Sequence, residues 1–237
     1  MSQFGILSKL NFLQNWASVI ISKINPAIIH NLQKYSALKK VHYLSAIEEI
    51  KGDYLEFGVF TGSSFCHSIR CCRSLLKYNP DLKNTNFYGF DSFEGFGKLE
   101  NHESHPFYTD QNFKTNYEHV YNRVKKASKG FNFKLIKGFF SDSLKDGPLS
   151  LGIKYARIIF IDSDTYSSAN DAFNFLTSII QEGTYIIIDD FYSYRGNSKK
   201  GVSLAFNQFI DKTSIEVRHV LNYGMGGVVY VISSINE

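Results

Sequence analysis

Two acidic clusters carry the strongest chemical signal in the sequence. Asp162 and Asp164 follow Tyr155-Ala156-Arg157-Ile158-Ile159-Phe160-Ile161, which is apolar on both faces near its end, and Asp189 and Asp190 close the run Tyr185-Ile186-Ile187-Ile188. Runs that are apolar on both faces suit strands covered by helices on both sides of a parallel sheet, whose neighbouring ends lie side by side. Asp162, Asp189 and Asp190 brought within a few ångströms would repel one another and raise each other's pKa unless a cation sat between them. An oxygen-only set without His or Cys suits a hard ion: Mg²⁺ first, with Mn²⁺ or Ca²⁺ as alternatives. N-capping of the following helix by Asp162, Asp164 or Thr165 would explain one residue of the four.

A second constellation is Glu56-Phe57-Gly58-Val59-Phe60-Thr61-Gly62, where a strand turns into a helix. Its glycines permit a tight turn and close approach of a ligand to the backbone, or serve packing alone. It is not a phosphate-binding P-loop, because no Gly-Lys-Ser/Thr follows, and it lacks the G-x-G-x-x-G dinucleotide fingerprint. The next strand ends in Asp91, which either accepts hydrogen bonds from both hydroxyls of a ribose, the geometry of an adenosine site, or caps a loop. Its distance from Gly58 along the chain exceeds the roughly 20 residues of the NAD pattern.

Other candidates weigh less. His102 and His105, beside Glu100 and Glu103, read as chance composition of a polar loop rather than a zinc site. Cys66, Cys71 and Cys72 read as packing residues, with no histidine at a spacing that suggests a nucleophile pair. Phe93, Phe96 and Phe107 could stack on a planar ligand.

The elements that position these residues follow from periodicity. Apolar residues from Ile6 to Ile24 and again from about Ala27 to Ile50 recur at helical spacing, interrupted by Asn25-Pro26. From Tyr54 onward strands alternate with helices: strands at 54–58, 87–91, 133–137, 155–162 and 185–190, then a terminal hairpin at 215–221 and 228–233. Helices are expected after the first strand, from about Asn112 to Lys129, from Tyr166 to Ile180, and around Val202 to Ile210. Residues 92–111 form a loop long enough to suggest a lid. Alternation of this kind predicts a doubly wound α/β sheet with ligands at the carboxyl ends of its strands. Residues 1–50 read as a helical extension, a cap or dimer contact, and residues 51–237 as the α/β domain.

Composition agrees. The chain has 237 residues, 43% hydrophobic, with 26 Lys plus Arg against 22 Asp plus Glu and a net charge of +4. That size buries an adequate core without metal or disulfide staples. Basic pairs such as Lys39-Lys40, Lys125-Lys126 and Lys199-Lys200 are scattered, which disfavours nucleic acid as a partner. Three clustered cysteines cannot build a disulfide framework, so a cytoplasmic location is expected. The apolar stretch Trp16–Ile21 is far shorter than the roughly 20 residues of a membrane span, and no secretory signal is expected. An amphipathic packing helix is favoured there over docking on a membrane surface.

Taken together, Glu56-x-Gly58-x-x-x-Gly62, Tyr88-Gly89-Phe90-Asp91-Ser92-Phe93-Glu94-Gly95-Phe96, Lys137-Gly138-Phe139-Phe140, Ile161-Asp162-Ser163-Asp164-Thr165-Tyr166 and Ile188-Asp189-Asp190-Phe191 resemble the macrocin O-methyltransferase family. The resemblance implies a Rossmann-like class I methyltransferase fold, a seven-stranded sheet whose last strand is antiparallel. It also implies S-adenosylmethionine and Mg²⁺ as cofactors and methylation of a small-molecule hydroxyl, often on a sugar. By position it implies that Glu56, Gly58 and Gly62 line the cofactor, Asp91 holds the ribose, and Ser92, Phe139 and Ser141 lie near the adenosine. Asp162, Asp189 and Asp190 are the implied metal ligands and Asp164 the implied general base. N-terminal helices in the family commonly contribute to the lid or to a dimer contact, so a homodimer is possible on this reading. The chain departs from the pattern at Ser163, where glycine is common, and at Ser167-Ser168, where an acidic residue and a Ser/Thr often stand. It also lacks the usual proline after Glu94-Gly95. A metal-dependent hydrolase or nucleotide-sugar enzyme, or a catalytically silent S-adenosylmethionine-binding module, are the alternative readings.

Overall fold

In the computed structural model, residues 10–97, 99, 103–108 and 113–235 are described. Helix α1 spans Asn11–Lys23, and α2 spans Pro26–Ile47. The break between them has a local cause: Pro26 starts the second helix, and the Asn25 side chain accepts a hydrogen bond from the Ala27 amide at 2.9 Å. The expected start of the first helix at Ile6 lies outside the described residues. Helix α1 buries none of its residues, leaving Phe12, Trp16, Val19 and Ile21 exposed. Helix α2 buries Lys34, Ala37, Leu38 and Val41.

The alternation then runs β1 (Asp53–Phe57), α3 (Ser63–Ser74), β2 (Phe87–Asp91), α4 (Tyr117–Ser128) and β3 (Phe133–Lys137). Two single-turn helices, α5 (Phe140–Ser143) and α6 (Gly147–Ser150), precede β4 (Ala156–Ile161), α7 (Tyr166–Leu176) and β5 (Tyr185–Ile188). The chain ends with α8 (Gly201–Thr213) and the hairpin β6 (Ile215–Tyr223) and β7 (Gly227–Ile235). Helix α4 begins at Tyr117, later than expected, because the Asn116 side chain accepts from the His119 amide at 2.9 Å and caps the first turn there. The expected start at Asn112 falls outside the described residues.

The strands form one sheet in the order β3-β2-β1-β4-β5-β7-β6. Strands β1 to β5 pair in parallel, and β7 lies antiparallel to both β5 and β6. Side chains alternate across β4: Ile158 and Phe160 pack with Leu38, Phe65, Ile69 and Val124 on one face, Ile159 and Ile161 with Phe173, Leu176, Phe206 and Phe209 on the other. Helices α2, α3 and α4 therefore cover one face, and α7 and α8 cover the second. The double burial expected of this strand is observed. The strand order reverses between β1 and β4, so the carboxyl ends of these two strands open a crevice.

Candidate active site

The turn after β1 is set by Gly58, with φ +96°. A Cβ at this position would collide with the main-chain carbonyl oxygen of Asp162, so close approach of the β1 and β4 ends requires glycine. Asp91, at the end of β2, ties this turn to the sheet. Its Oδ2 accepts from the Val59 and Phe60 amides at 2.8 and 2.7 Å, and its Oδ1 accepts from the Phe93 amide at 2.6 Å. Burial raises the Asp91 pKa against these three hydrogen bonds. Phe60 and Phe93 both adopt positive φ, strain that the Asp91 contacts hold in place.

The four aspartates meet across the β4 and β5 ends, where the polypeptide leaves adjacent parallel strands. Asp162, Asp164 and Asp190 can each present an oxygen within 4.8 Å of the others. Asp164 has φ +61°, and its carboxyl shares a hydrogen bond with that of Asp190. Burial first, and then the neighbouring negative charges, hold the pKa values of Asp162 and Asp164 well above the carboxylate range. Asp189 behaves differently. Its Oδ2 accepts from Lys34 Nζ at 2.7 Å and from His30 Nε2 at 3.2 Å, and its Oδ1 accepts from the Tyr223 hydroxyl at 2.7 Å. Burial alone would raise its pKa, but the Lys34 ammonium and His30 outweigh burial and depress it.

Lys34 also donates to Asp162 Oδ2 at 2.9 Å. Burial would lower its pKa; the two carboxylates reverse that and keep it protonated. The Met225 amide donates to His30 Nδ1 at 3.2 Å, so the imidazole carries its proton on Nε2 and gives it to Asp189. These contacts bind α2 to the strand ends and to the β6–β7 turn.

Part of the 92–111 loop closes over the same carboxylates. The Tyr108 hydroxyl lies 3.1 Å from Asp190 Oδ1 and 2.6 Å from Ser193 Oγ, and the ring is buried. Glu103, 2% exposed, accepts from the Ser167 amide at 2.6 Å, and the Tyr194 hydroxyl donates to the Glu103 carbonyl at 2.9 Å. The loop thus delivers a carboxylate to the N-terminus of α7, where the helix dipole favours negative charge.

A cavity of about 510 Å³ joins these features. Gly58, Asp91, Ser92 and Phe139 line it together with Asp162, Asp164, Asp189, Asp190, His30, Lys34 and Tyr192. Three expected cofactor residues lie off this cavity. Glu56 is fully buried inside the sheet, accepting from Tyr54 and Ser64 hydroxyls at 2.5 and 2.6 Å. Gly62 caps the start of α3 against Val120, and Ser141 is exposed on α5, whose neighbour Phe140 reaches the cavity instead. Of the three phenylalanines near the lid, Phe96 and Phe107 line the cavity, whereas Phe93 is buried against Tyr117. Of the four residues set aside as chance composition rather than a zinc site, Glu100 and His102 lie outside the described residues.

Sequence reasoning missed the contribution of α2. The available signal was a lysine, Lys34, one turn before the buried stripe Ala37, Leu38 and Val41, with His30 one turn before that. It also missed that His67 sits one helical turn from Cys71, whose Sγ lies 3.3 Å from the imidazole Nε2. Burial pushes that thiol up to about 11, so the pair is not an activated nucleophile, and packing remains the role of Cys71.

The strand order, the antiparallel β7, the glycine turn after β1 and the acid after β2 define a class I methyltransferase fold. The solved structure of the O-methyltransferase NovP superposes with a TM-score of 0.68 at 18% identity, covering 85% of this chain and 80% of that one. The family model for macrocin-O-methyltransferase (TylF) matches residues 14–221, and the chain belongs to that family. Its members are O-methyltransferases, enzymes that use S-adenosylmethionine. Mycinamicin III 3''-O-methyltransferase of Micromonospora griseorubida is 24% identical over 179 residues, 70% of this chain and 66% of that protein. A tetracenomycin rhamnosyl 4'-O-methyltransferase of Streptomyces olivaceus is 24% identical over 216 residues, 82% of this chain and 77% of that protein. Among the described residues, no helix is long and apolar enough to cross a membrane.

Proposed function

We propose that the protein transfers a methyl group from S-adenosylmethionine to a hydroxyl of a sugar or of another small molecule bearing neighbouring hydroxyls. One observation carries the reading: a single cavity joins the Gly58 turn and Asp91 to the strand-end carboxylates. The sugar acceptor is supported by the two curated relatives, whose names place their methyl groups on sugar positions.

The residues suit both S-adenosylmethionine and a divalent ion. Asp91 accepts three amide hydrogen bonds and lines the cavity, and a carboxylate has about four acceptor sites, so one remains for a ribose hydroxyl. Phe139, 38% exposed at the cavity, offers an apolar ring to a purine. The buried Ser163 hydroxyl lines the cavity without a hydrogen-bond partner among the described residues, a polar atom that a bound ligand would satisfy. Asp162, Asp164 and Asp190 offer only oxygen, the donor set of a hard divalent ion such as Mg²⁺. S-adenosylmethionine supplies an electrophilic methyl group when bound, and Mg²⁺ supplies positive charge near the acceptor oxygens.

The chain's own residues do the rest. Asp164, which lines the cavity beside Asp162 and Asp190, takes the proton of the acceptor hydroxyl on the carboxylate oxygen it does not offer to the ion. Asp190, hydrogen-bonded to Asp164, and the strained αL backbone at Asp164 orient that carboxyl. Tyr108 and Glu103 hold the lid shut and keep water from the reacting groups. The test is methyl transfer from labelled donor to a panel of nucleotide sugars, glycosides and catechols. We expect transfer to a sugar hydroxyl, loss of turnover in EDTA, and a fall of about 10²-fold or more in Asp164→Asn with donor affinity unchanged by calorimetry. Absence of donor binding, or turnover that EDTA and Asp164→Asn leave intact, refutes the reading.

A further inference from the structure

The resemblance assigns Asp189 to the metal, yet the structure surrounds it with protein donors. Its two oxygens receive the Lys34 ammonium, the His30 imidazole and the Tyr223 hydroxyl at 2.7, 3.2 and 2.7 Å. Lys34 is 8% exposed and bridges Asp189 to Asp162, so one buried cation joins carboxylates from the ends of two neighbouring strands. It reaches them from α2, an element outside the sheet. The oxygens that group as ion ligands are those of Asp162, Asp164 and Asp190.

We propose that Lys34 is a resident cation of the carboxylate cluster, a positioning residue that withdraws Asp189 from metal coordination and limits the divalent ion to Asp162, Asp164 and Asp190. The physical reason is charge. An ammonium within hydrogen-bond distance of two carboxylates offsets part of the repulsion that would otherwise demand a metal, and it repels a divalent ion a few ångströms away. The cluster therefore stays assembled when no metal is bound, and the ion binds more weakly than it would to four uncompensated carboxylates. Asp189 is left to join α2, β5 and the β6 end through Lys34, His30 and Tyr223.

This inference rests on the metal reading above, and Mn²⁺ alone serves as the probe, followed by electron paramagnetic resonance, with thermal unfolding in EDTA and in excess Mg²⁺ as a second readout. In the wild type the melting temperature is expected to rise in excess Mg²⁺ only by the mass-action stabilisation of a bound ion, because Lys34 already holds the cluster together in EDTA. Lys34→Met should melt lower in EDTA, recover with Mg²⁺, and bind Mn²⁺ at least about tenfold more tightly. Lys34→Arg, which keeps the charge, should respond to EDTA as the wild type does. Should Lys34→Met not fold, Asp189→Asn and Asp190→Asn in the wild-type background decide the matter. Asp189→Asn, which removes a countercharge of Lys34 but no ion ligand, should weaken Mn²⁺ binding at least about tenfold less than Asp190→Asn, which removes a ligand. Equal loss in these two variants, or equal Mn²⁺ affinity in wild type and Lys34→Met, overturns the proposal while leaving the metal site standing. No Mn²⁺ bound by any form overturns the metal reading and the proposal together.

Discussion

Glu56 gives a stability prediction that the fold alone determines. It sits fully buried at the end of β1, accepting hydrogen bonds from Tyr54 and Ser64. Burial is the largest influence, partly offset by these two hydroxyls, and it lifts the carboxyl from 4.5 to about 7. The folded chain therefore keeps a proton on Glu56 that the unfolded chain releases. Stability from this group is present at low pH and is lost as pH rises through the interval between the two values. At 1.36 kcal/mol per pH unit that interval corresponds to roughly 3 kcal/mol, of which about 2.5 kcal/mol falls between pH 5 and pH 8. Glu56→Gln imitates the protonated side chain and removes the titration. Urea unfolding of both proteins across that pH range should give similar stabilities at pH 5 and a Gln variant that is the more stable by about 2 kcal/mol or more at pH 8. Other titrating groups contribute equally to both proteins, so the difference isolates Glu56. Parallel curves, with the same gap at pH 5 and pH 8, would refute the reasoning.

Two further substitutions test the site's scaffold. Gly58→Ala forces a Cβ onto the Asp162 carbonyl at positive φ, so the variant should lose about 2 kcal/mol or more and bind donor poorly, read by thermal unfolding and calorimetry. An unchanged melting temperature would contradict the packing described here. Tyr108→Phe removes the lid hydroxyl from Asp190 and Ser193; one hydrogen bond to a charged group predicts a loss of about tenfold or more in kcat/KM with circular dichroism unaltered. Kinetics equal to wild type would mean that the lid contact is dispensable.

Much of the architecture was readable from local pattern because each signal is local. The runs before Asp162 and Asp189 are apolar on successive residues, which only a strand buried on both faces requires, and both are such strands. Gly58 and Asp91 stand at strand ends, where turn geometry restricts the residue type. Helix α4 starts at Tyr117 rather than near Asn112 because the Asn116 side chain caps its first turn, a contact that composition alone does not fix. Glu56 and Ser141 follow the family's motif in position, yet side-chain direction places one inside the sheet and the other on the outer side of α5.

The order of apolar and polar residues determined by itself that strands alternate with helices and that acidic groups sit where strands end. Which carboxylate meets which partner was decided by tertiary structure. Lys34 lies far from Asp162 and Asp189 along the chain, and only the packing of α2 across the strand ends brings the ammonium within 3 Å of both. Tyr108 likewise reaches Asp190 through the folding of a loop without periodicity. Charge interactions depend on separation in space rather than in sequence, and no local pattern encodes such separations.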